Sequence, residues 1–157
     1  MSRCVRATDT VGRIGGDEFM VLLRQVRDAE AAVRMADKIR SALNEAFVIA
    51  RKSLFISSSV GIALYPEHGR TGDELAHRAD LAMYEAKNRG RNRFRYFTGA
   101  MQEAAQARLA LIRDLRLALT GNQLTAYFQP IVELATGRTV KAEALLRWRD
   151  PVMGEIS

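Results

Sequence analysis

The chain has 157 residues, 48% hydrophobic and 27% charged, an ordinary globular balance that excludes a disordered or collagen-like chain and gives enough length for one core of usual domain size. The longest charge-free apolar stretch, Ser53 to Pro66, has fourteen residues with four serines. That is well short of the roughly 18 to 20 apolar residues of a membrane span. The net charge of +6 is carried mostly by arginine, 20 of the 24 basic residues, whose planar fork suits phosphate recognition. The same bias also fits a solvated arginine-rich surface. The N-terminus, Met1-Ser2-Arg3-Cys4-Val5-Arg6, has no apolar segment behind its basic residues and so no secretory signal. One cysteine excludes an internal disulfide, and Cys4 with two histidines is too few for a zinc site, so a reducing cytoplasmic setting is expected.

Along the chain, Thr10 to Leu23 reads as strand, Gly15-Gly16 turn, strand, with two acids directly after the turn. From Asp28 to Ala46 the apolar residues Val33, Ala36, Ile39 and Leu43 recur every three or four positions, a helix with one buried stripe. Leu54, Ile56, Val60, Ile62 and Leu64 share one parity and predict a single strand closed by Pro66 and Gly69. A second helix opens on the capping box Thr71-Gly72-Asp73-Glu74 and stops at Gly90. Phe94 and Tyr96 mark a short strand. A long helix over Ala100 to Thr120 follows, with Gly121 as its stop. Leu124 to Val132 and Thr139 to Trp148 form a hairpin around Thr136-Gly137. A two-stranded hairpin is marginal alone, so the last residues are expected to be the opening of a larger domain.

Three constellations carry possible chemistry. In Gly15-Gly16-Asp17-Glu18-Phe19, bare backbone beside adjacent carboxylates would let a nucleotide approach while an acid holds Mg²⁺; the bland alternative is a glycine turn with solvated acids. The run Lys87 to Arg95 holds five basic residues and no acid. It can be a solvated helix end, a nucleic-acid patch with Phe94 and Tyr96 as stacking aromatics, or a phosphate clamp. Finally, Gln129-Pro130-Ile131 precedes a strand on which Glu143 and Arg147, four apart, point to one inward face. They fit a metal-and-phosphate pair or a structural ion pair.

Taken in order, these segments are recognisable. Val11-Gly12-Arg13-Ile14-Gly15-Gly16-Asp17-Glu18-Phe19 resembles the signature of the GGDEF family, the diguanylate cyclases. Ser57-Ser58-Ser59-Val60-Gly61-Ile62-Ala63 is similar to that family's next strand, and Arg78 to Asn92 to its last helix. Ala126-Tyr127-Phe128-Gln129-Pro130-Ile131-Val132 and Glu143-Ala144-Leu145-Leu146-Arg147-Trp148 resemble the start of an EAL domain, the cyclic di-GMP phosphodiesterase fold.

The resemblance implies an α/β chain: an α+β cyclase-like portion with a central sheet containing antiparallel strands over residues 1–98, a linker helix over 99–121, and the first hairpin of a TIM-like barrel over 122–157. It implies condensation of two GTP into cyclic di-GMP, followed by a domain that hydrolyses cyclic di-GMP, both with Mg²⁺ or Mn²⁺. Asp17 would be a metal ligand, Glu18 the neighbouring acid, and Gly15 and Gly16 the backbone that admits substrate. Lys87 and Arg91 would hold the β- and γ-phosphates. In the second domain Glu143 would be a metal ligand, Gln129 a substrate contact and Arg147 a phosphate contact. The tetrad Arg6-Ala7-Thr8-Asp9, five residues before Gly15, is similar to the family's RxxD inhibitory site, where Arg6 and Asp9 would bind product with Lys38 as a third contact.

Only about ten residues precede the signature strand, so the family's first strand and its metal-binding Asp are missing from the pattern. The chain by itself is therefore expected to show no turnover, its parent to pair two cyclase domains as a homodimer, and any anchoring to the inner membrane to come from outside these residues. Two other readings stand beside this one: a catalytically idle cyclic di-GMP-binding regulatory module that uses the RxxD residues, and a basic nucleic-acid-binding protein. The resemblance sets the last far behind, leaving GTP and cyclic di-GMP as the expected partners and no nucleic-acid polymer.

Overall fold

A computed structural model describes residues 3–150 and 154–156. The chain divides into two compact units, Met1–Ala105 and Gln106–Ser157.

In the first unit, β1 (Thr10–Gly15) and β2 (Glu18–Leu22) form an antiparallel hairpin whose register slips between Arg13 and Gly15, leaving Ile14 without a partner. α1 (Ala29–Asn44) starts where the Asp28 carboxylate accepts the Ala31 amide, and it buries Ala32, Ala36 and Ile39. β3 (Phe47–Ile49) and β4 (Lys52–Leu54) make a tight hairpin turning through Ala50 and Arg51, both at positive φ. The chain then loses regular structure until β5 (Val60–Ile62). The single strand expected over Leu54 to Leu64 is thus two short ones separated by residues 55–59, because its two ends pair with different partners, Leu54 with Phe47 and Val60 with Phe94.

α2 (Gly72–Asn88) carries both halves of its expected capping box: Thr71 accepts from the Glu74 amide and the Glu74 carboxylate reaches back to the Thr71 amide. Hydrogen bonds from the Arg70 and Thr71 amides hold the Glu74 carboxyl below its ordinary range. β6 (Phe94–Tyr96) then pairs with β5 in parallel, so β5, α2 and β6 form a crossover unit. Val60, Ile62, Phe94 and Tyr96 pack on Ala32 and Ala36 of α1. The opposite face of β5, at Gly61, meets the backbone of α2 at Ala79 and Met83. The core of this unit therefore lies on both faces of a two-stranded parallel ladder. Strands of the unit belong to three separate ladders, β1–β2, β3–β4 and β5–β6.

The long helix α3 (Gly99–Thr120) ends in a Schellman turn: the Gln123 amide returns to the Ala118 carbonyl and Asn122, at φ 53°, takes the left-handed position. The expected stop at Gly121 is the residue before it. In the second unit β7 (Leu124–Val132) and β8 (Thr139–Asp150) form the expected hairpin, and β9 (Gly154–Ile156) adds a third antiparallel strand. Trp148 is buried, its indole N–H donating to Gln123 Oε1 at 3.2 Å.

Candidate functional site

The turn between β1 and β2 is built by Gly16, at φ 52°, with open space where a Cβ would stand on both Gly15 and Gly16. Arg13 braces it: its Nε and one terminal nitrogen donate to the Gly16 carbonyl at 2.9 and 2.7 Å. Asp17 and Glu18 follow on this braced corner, both exposed. Across from them stands the C-terminal turn of α2, and Lys87 Nζ lies 3.9 Å from Glu18 Oε1. Residues 69 apart in sequence thus share one site. The pair is about half exposed, so it contributes little to stability and is readily exchanged for stronger counter-charges.

Arg91 follows α2 in a second Schellman turn. Gly90, at φ 103°, ends α2 and the Arg91 amide donates to the Ala86 carbonyl at 3.1 Å. Of the remaining bases in the run, Arg89 is ion-paired with Glu85 and Arg93 Nε donates to the Arg91 carbonyl at 3.0 Å. The run is therefore a folded helix end with Lys87 facing the acidic turn, rather than a uniform basic patch. Among the described residues no three His, Cys, Asp or Glu side chains gather as a metal cage. Adjacent carboxylates on an open turn nevertheless suit Mg²⁺, which usually takes one or two protein carboxylates and completes its shell with waters and phosphates.

A cavity of about 480 Å³ lies beside the start of α1, and Arg6, Arg27, Arg34 and Lys38 line it together with Gln25 and Met35. Lys38 is fixed by donating to the Cys4 carbonyl at 2.8 Å, and Arg34 pairs with Asp28 at 3.6 Å and Glu30 at 3.3 Å. Asp9 does not line it. Its carboxylate accepts the Arg6 amide at 3.0 Å and the Arg24 amide at 3.4 Å, so it shapes the loop that presents Arg6. Of the three residues expected at an inhibitory site, then, two face the cavity and the third holds one of them. Arg27 and Arg34 were absent from that expectation; Arg34 stands four residues before Lys38 on α1, a spacing the sequence shows, whereas Arg27 precedes the Asp28 cap and no spacing points to it.

In the second unit Gln129 stands directly opposite Glu143 in the β7–β8 register, and the Arg147 guanidinium lies 6.0 Å from the Tyr127 ring centre. Alternation puts all four on one face of the hairpin. Glu143 is exposed and Arg147 half-buried, so the face expected to point inward is open at its acidic end.

The model for the family described as diguanylate cyclase, GGDEF domain, matches residues 1–93, and the EAL domain model matches residues 112–157. The chain is 44% identical over 153 residues to MucR of Pseudomonas aeruginosa, a bifunctional diguanylate cyclase and cyclic di-GMP phosphodiesterase. It is 39% identical over 153 residues to PdeR of Escherichia coli, a cyclic di-GMP phosphodiesterase. These alignments cover 98% of the chain but only 22% and 23% of those proteins; the chain spans about a fifth of its curated relatives. Among solved structures, the GGDEF domain of TpbB (YfiN) from Pseudomonas aeruginosa is similar at a TM-score of 0.64 and 36% identity, over 67% of this chain and 62% of that one. An EAL/GGDEF domain protein from M. capsulatus is similar at 0.58 and 42% identity, over 62% and 63%. Among the described residues no helix is long and apolar enough to cross a membrane.

Proposed function

We propose, from the premise that this chain belongs to the GGDEF family of diguanylate cyclase domains and runs on into a segment matching the EAL family, that its first unit holds one GTP for condensation to cyclic di-GMP. The observation that carries this reading is the approach of Lys87 to Glu18, which sets a cation able to take phosphate against an acidic, glycine-opened turn. On binding, each member exchanges its weak partner for a stronger one. Lys87 and Arg91 take the β- and γ-phosphates, whose charge grows as pyrophosphate leaves, and Asp17, with Glu18 as the neighbouring acid, would hold a divalent ion. Such an ion, Mg²⁺ or Mn²⁺, would supply neutralisation of phosphate charge, while the 3′-hydroxyl of the facing nucleotide attacks the α-phosphate and pyrophosphate leaves. One site holds one GTP while the product contains two nucleotides. The reaction thus needs a second copy facing the first.

The second unit contributes Glu143 as a metal-binding acid, Gln129 as a substrate contact and Arg147 as a phosphate contact to a phosphodiesterase site. Support for this comes from the shared face and the direct Gln129–Glu143 register. The cavity with Arg6 and Lys38 favours a regulatory role as well: four lining cations suit a ligand with two phosphates, such as cyclic di-GMP. The test is a ¹H–¹⁵N titration of the chain with Mg²⁺-GTP and, separately, with cyclic di-GMP. Shifts at residues 15–18 and 87–91 with GTP, lost in Lys87→Ala, uphold the cyclase site. Shifts with cyclic di-GMP at Arg6 and Lys38 but none with GTP would instead leave the binding module as the function.

A further inference from the structure

The phosphate-clamp reading leaves a physical problem at Arg91. Gly90, Arg91 and Asn92 have φ of 103°, 56° and 46°, three consecutive residues on the left-handed side. Glycine adopts that conformation freely and asparagine tolerates it, but a long unbranched side chain such as arginine occupies it only when its surroundings over-determine it. Two restraints are at the ends of the segment: the Arg91 amide on the Ala86 carbonyl, and the Arg93 carbonyl accepting the Val60 amide at 2.9 Å. A third acts in the middle and comes from another element. Asn44, the last residue of α1, donates its side-chain amide to Asn92 Oδ1 at 3.0 Å.

We propose that Asn44 and Asn92 are positioning residues for phosphate binding: their amide–amide bond ties the left-handed turn to the end of α1 and so fixes where Arg91 presents its guanidinium relative to Lys87. This rests on the reading of Lys87 and Arg91 as the phosphate clamp. No other side chain in the two turns that follow α2 reaches α1 through a hydrogen bond among the described contacts. Asn92 lies inside the run that resembles the family's last helix, whereas Asn44 lies 48 positions away, so spacing could not pair them.

The test titrates the full chain with Mg²⁺-tripolyphosphate and with inorganic monophosphate, which probe the clamp without any base. Asn44→Ala and Asn92→Gly should each weaken tripolyphosphate binding about two- to tenfold, the range of a single net hydrogen bond, and leave monophosphate binding unchanged. Glycine at 92 keeps the left-handed backbone allowed but also frees it, so an equal loss in Asn44→Ala, which leaves the turn's own residues unchanged, is what assigns the effect to the amide–amide bond. The double variant should bind no more weakly than either single one, because both changes break the same bond. Wild-type tripolyphosphate affinity in both single variants, with Arg91→Ala weakened, overturns the positioning role and leaves the clamp standing. Additive losses in the double variant overturn it too. Unchanged binding in Arg91→Ala overturns the clamp itself, and the positioning role with it. Amide spectra of every variant confirm that α1 and α2 remain folded.

Discussion

Gly61→Ala tests the close packing of α2 on the β5–β6 ladder. A Cβ on Gly61 would stand 1.9 Å from the Ala79 carbonyl oxygen and 2.4 Å from the Met83 nitrogen. Ordinary contact begins at 3.4 Å, so the helix would have to retreat by about 1.5 Å. Both obstructing atoms are backbone, which cannot rotate aside, and α2 has no slack, since Ala82 and Ala86 are fully buried on it. Overpacking a core by one methyl group commonly costs about 1–3 kcal/mol, and a main-chain clash belongs at or above the upper end. Domains of this size are stable by only about 5–15 kcal/mol. We therefore expect Gly61→Ala to lose about 3 kcal/mol or more in denaturant unfolding and, because Lys87 rides on the last turn of α2, to weaken tripolyphosphate binding as well. Gly12→Ala is the control. It has nothing within 4 Å of its new methyl group and should be neutral within about 0.5 kcal/mol. Equal unfolding midpoints for the two variants would refute the close packing of α2 on β5.

The remaining expectations concern the caps, a half-buried phenol and the cationic cavity. Thr71→Ala removes the acceptor for the Glu74 amide and should cost about 1 kcal/mol in the same unfolding assay. Glu74→Gln should be less stable than the parent at neutral pH. The native carboxyl is held low, so its contribution is present above the ordinary carboxylate range and lost as pH falls through the lowered native value; the gap must close in acid. Tyr96 donates its hydroxyl to the Ala29 carbonyl, and burial pushes that hydroxyl up, with Asp28 and Glu30 adding to the effect. Tyr96→Phe should lose about 1 kcal/mol below pH 10, and the difference should shrink as the pH rises beyond that and the unfolded phenol ionises. Arg6→Ala should weaken cyclic di-GMP binding by calorimetry, while Asp9→Asn should weaken it less, since Asp9 acts through the loop.

What could be read from the sequence and what could not divides by the distance between bonding partners. The Thr71–Glu74 box and the turn at Gly15-Gly16 close within four residues, and each stands where its letters put it. Parity placed Glu143 and Arg147 on one face, and the hairpin register adds Gln129, directly opposite Glu143, to it. Parity failed over Leu54 to Leu64 for a non-local reason: apolar alternation says which side a residue faces if the strand exists, but not that its two ends pair with different strands, β3 and β6. The β3–β4 hairpin escaped notice because its turn, Ala50-Arg51, lacks the glycine or asparagine that usually marks positive φ.

The site divides in the same way. Arg6 and Asp9 were legible as a pair of letters, yet the letters could not tell that both oxygens of Asp9 are taken by backbone amides, one of them fifteen residues away. The Lys87–Glu18 approach and the Asn44–Asn92 bond each span dozens of residues and depend on the parallel pairing of β5 with β6, a non-local contact that leaves no period in the sequence. The same division separates two kinds of failure under mutation. Residues whose bonds close locally should fail one element at a time, as Thr71→Ala frays a single helix start. Residues that depend on the parallel ladder should fail together: lifting α2 by Gly61→Ala moves Lys87 away from the acidic turn and carries Gly90 and Arg91 with it in a single step, so repair at any one of them should not restore tripolyphosphate binding.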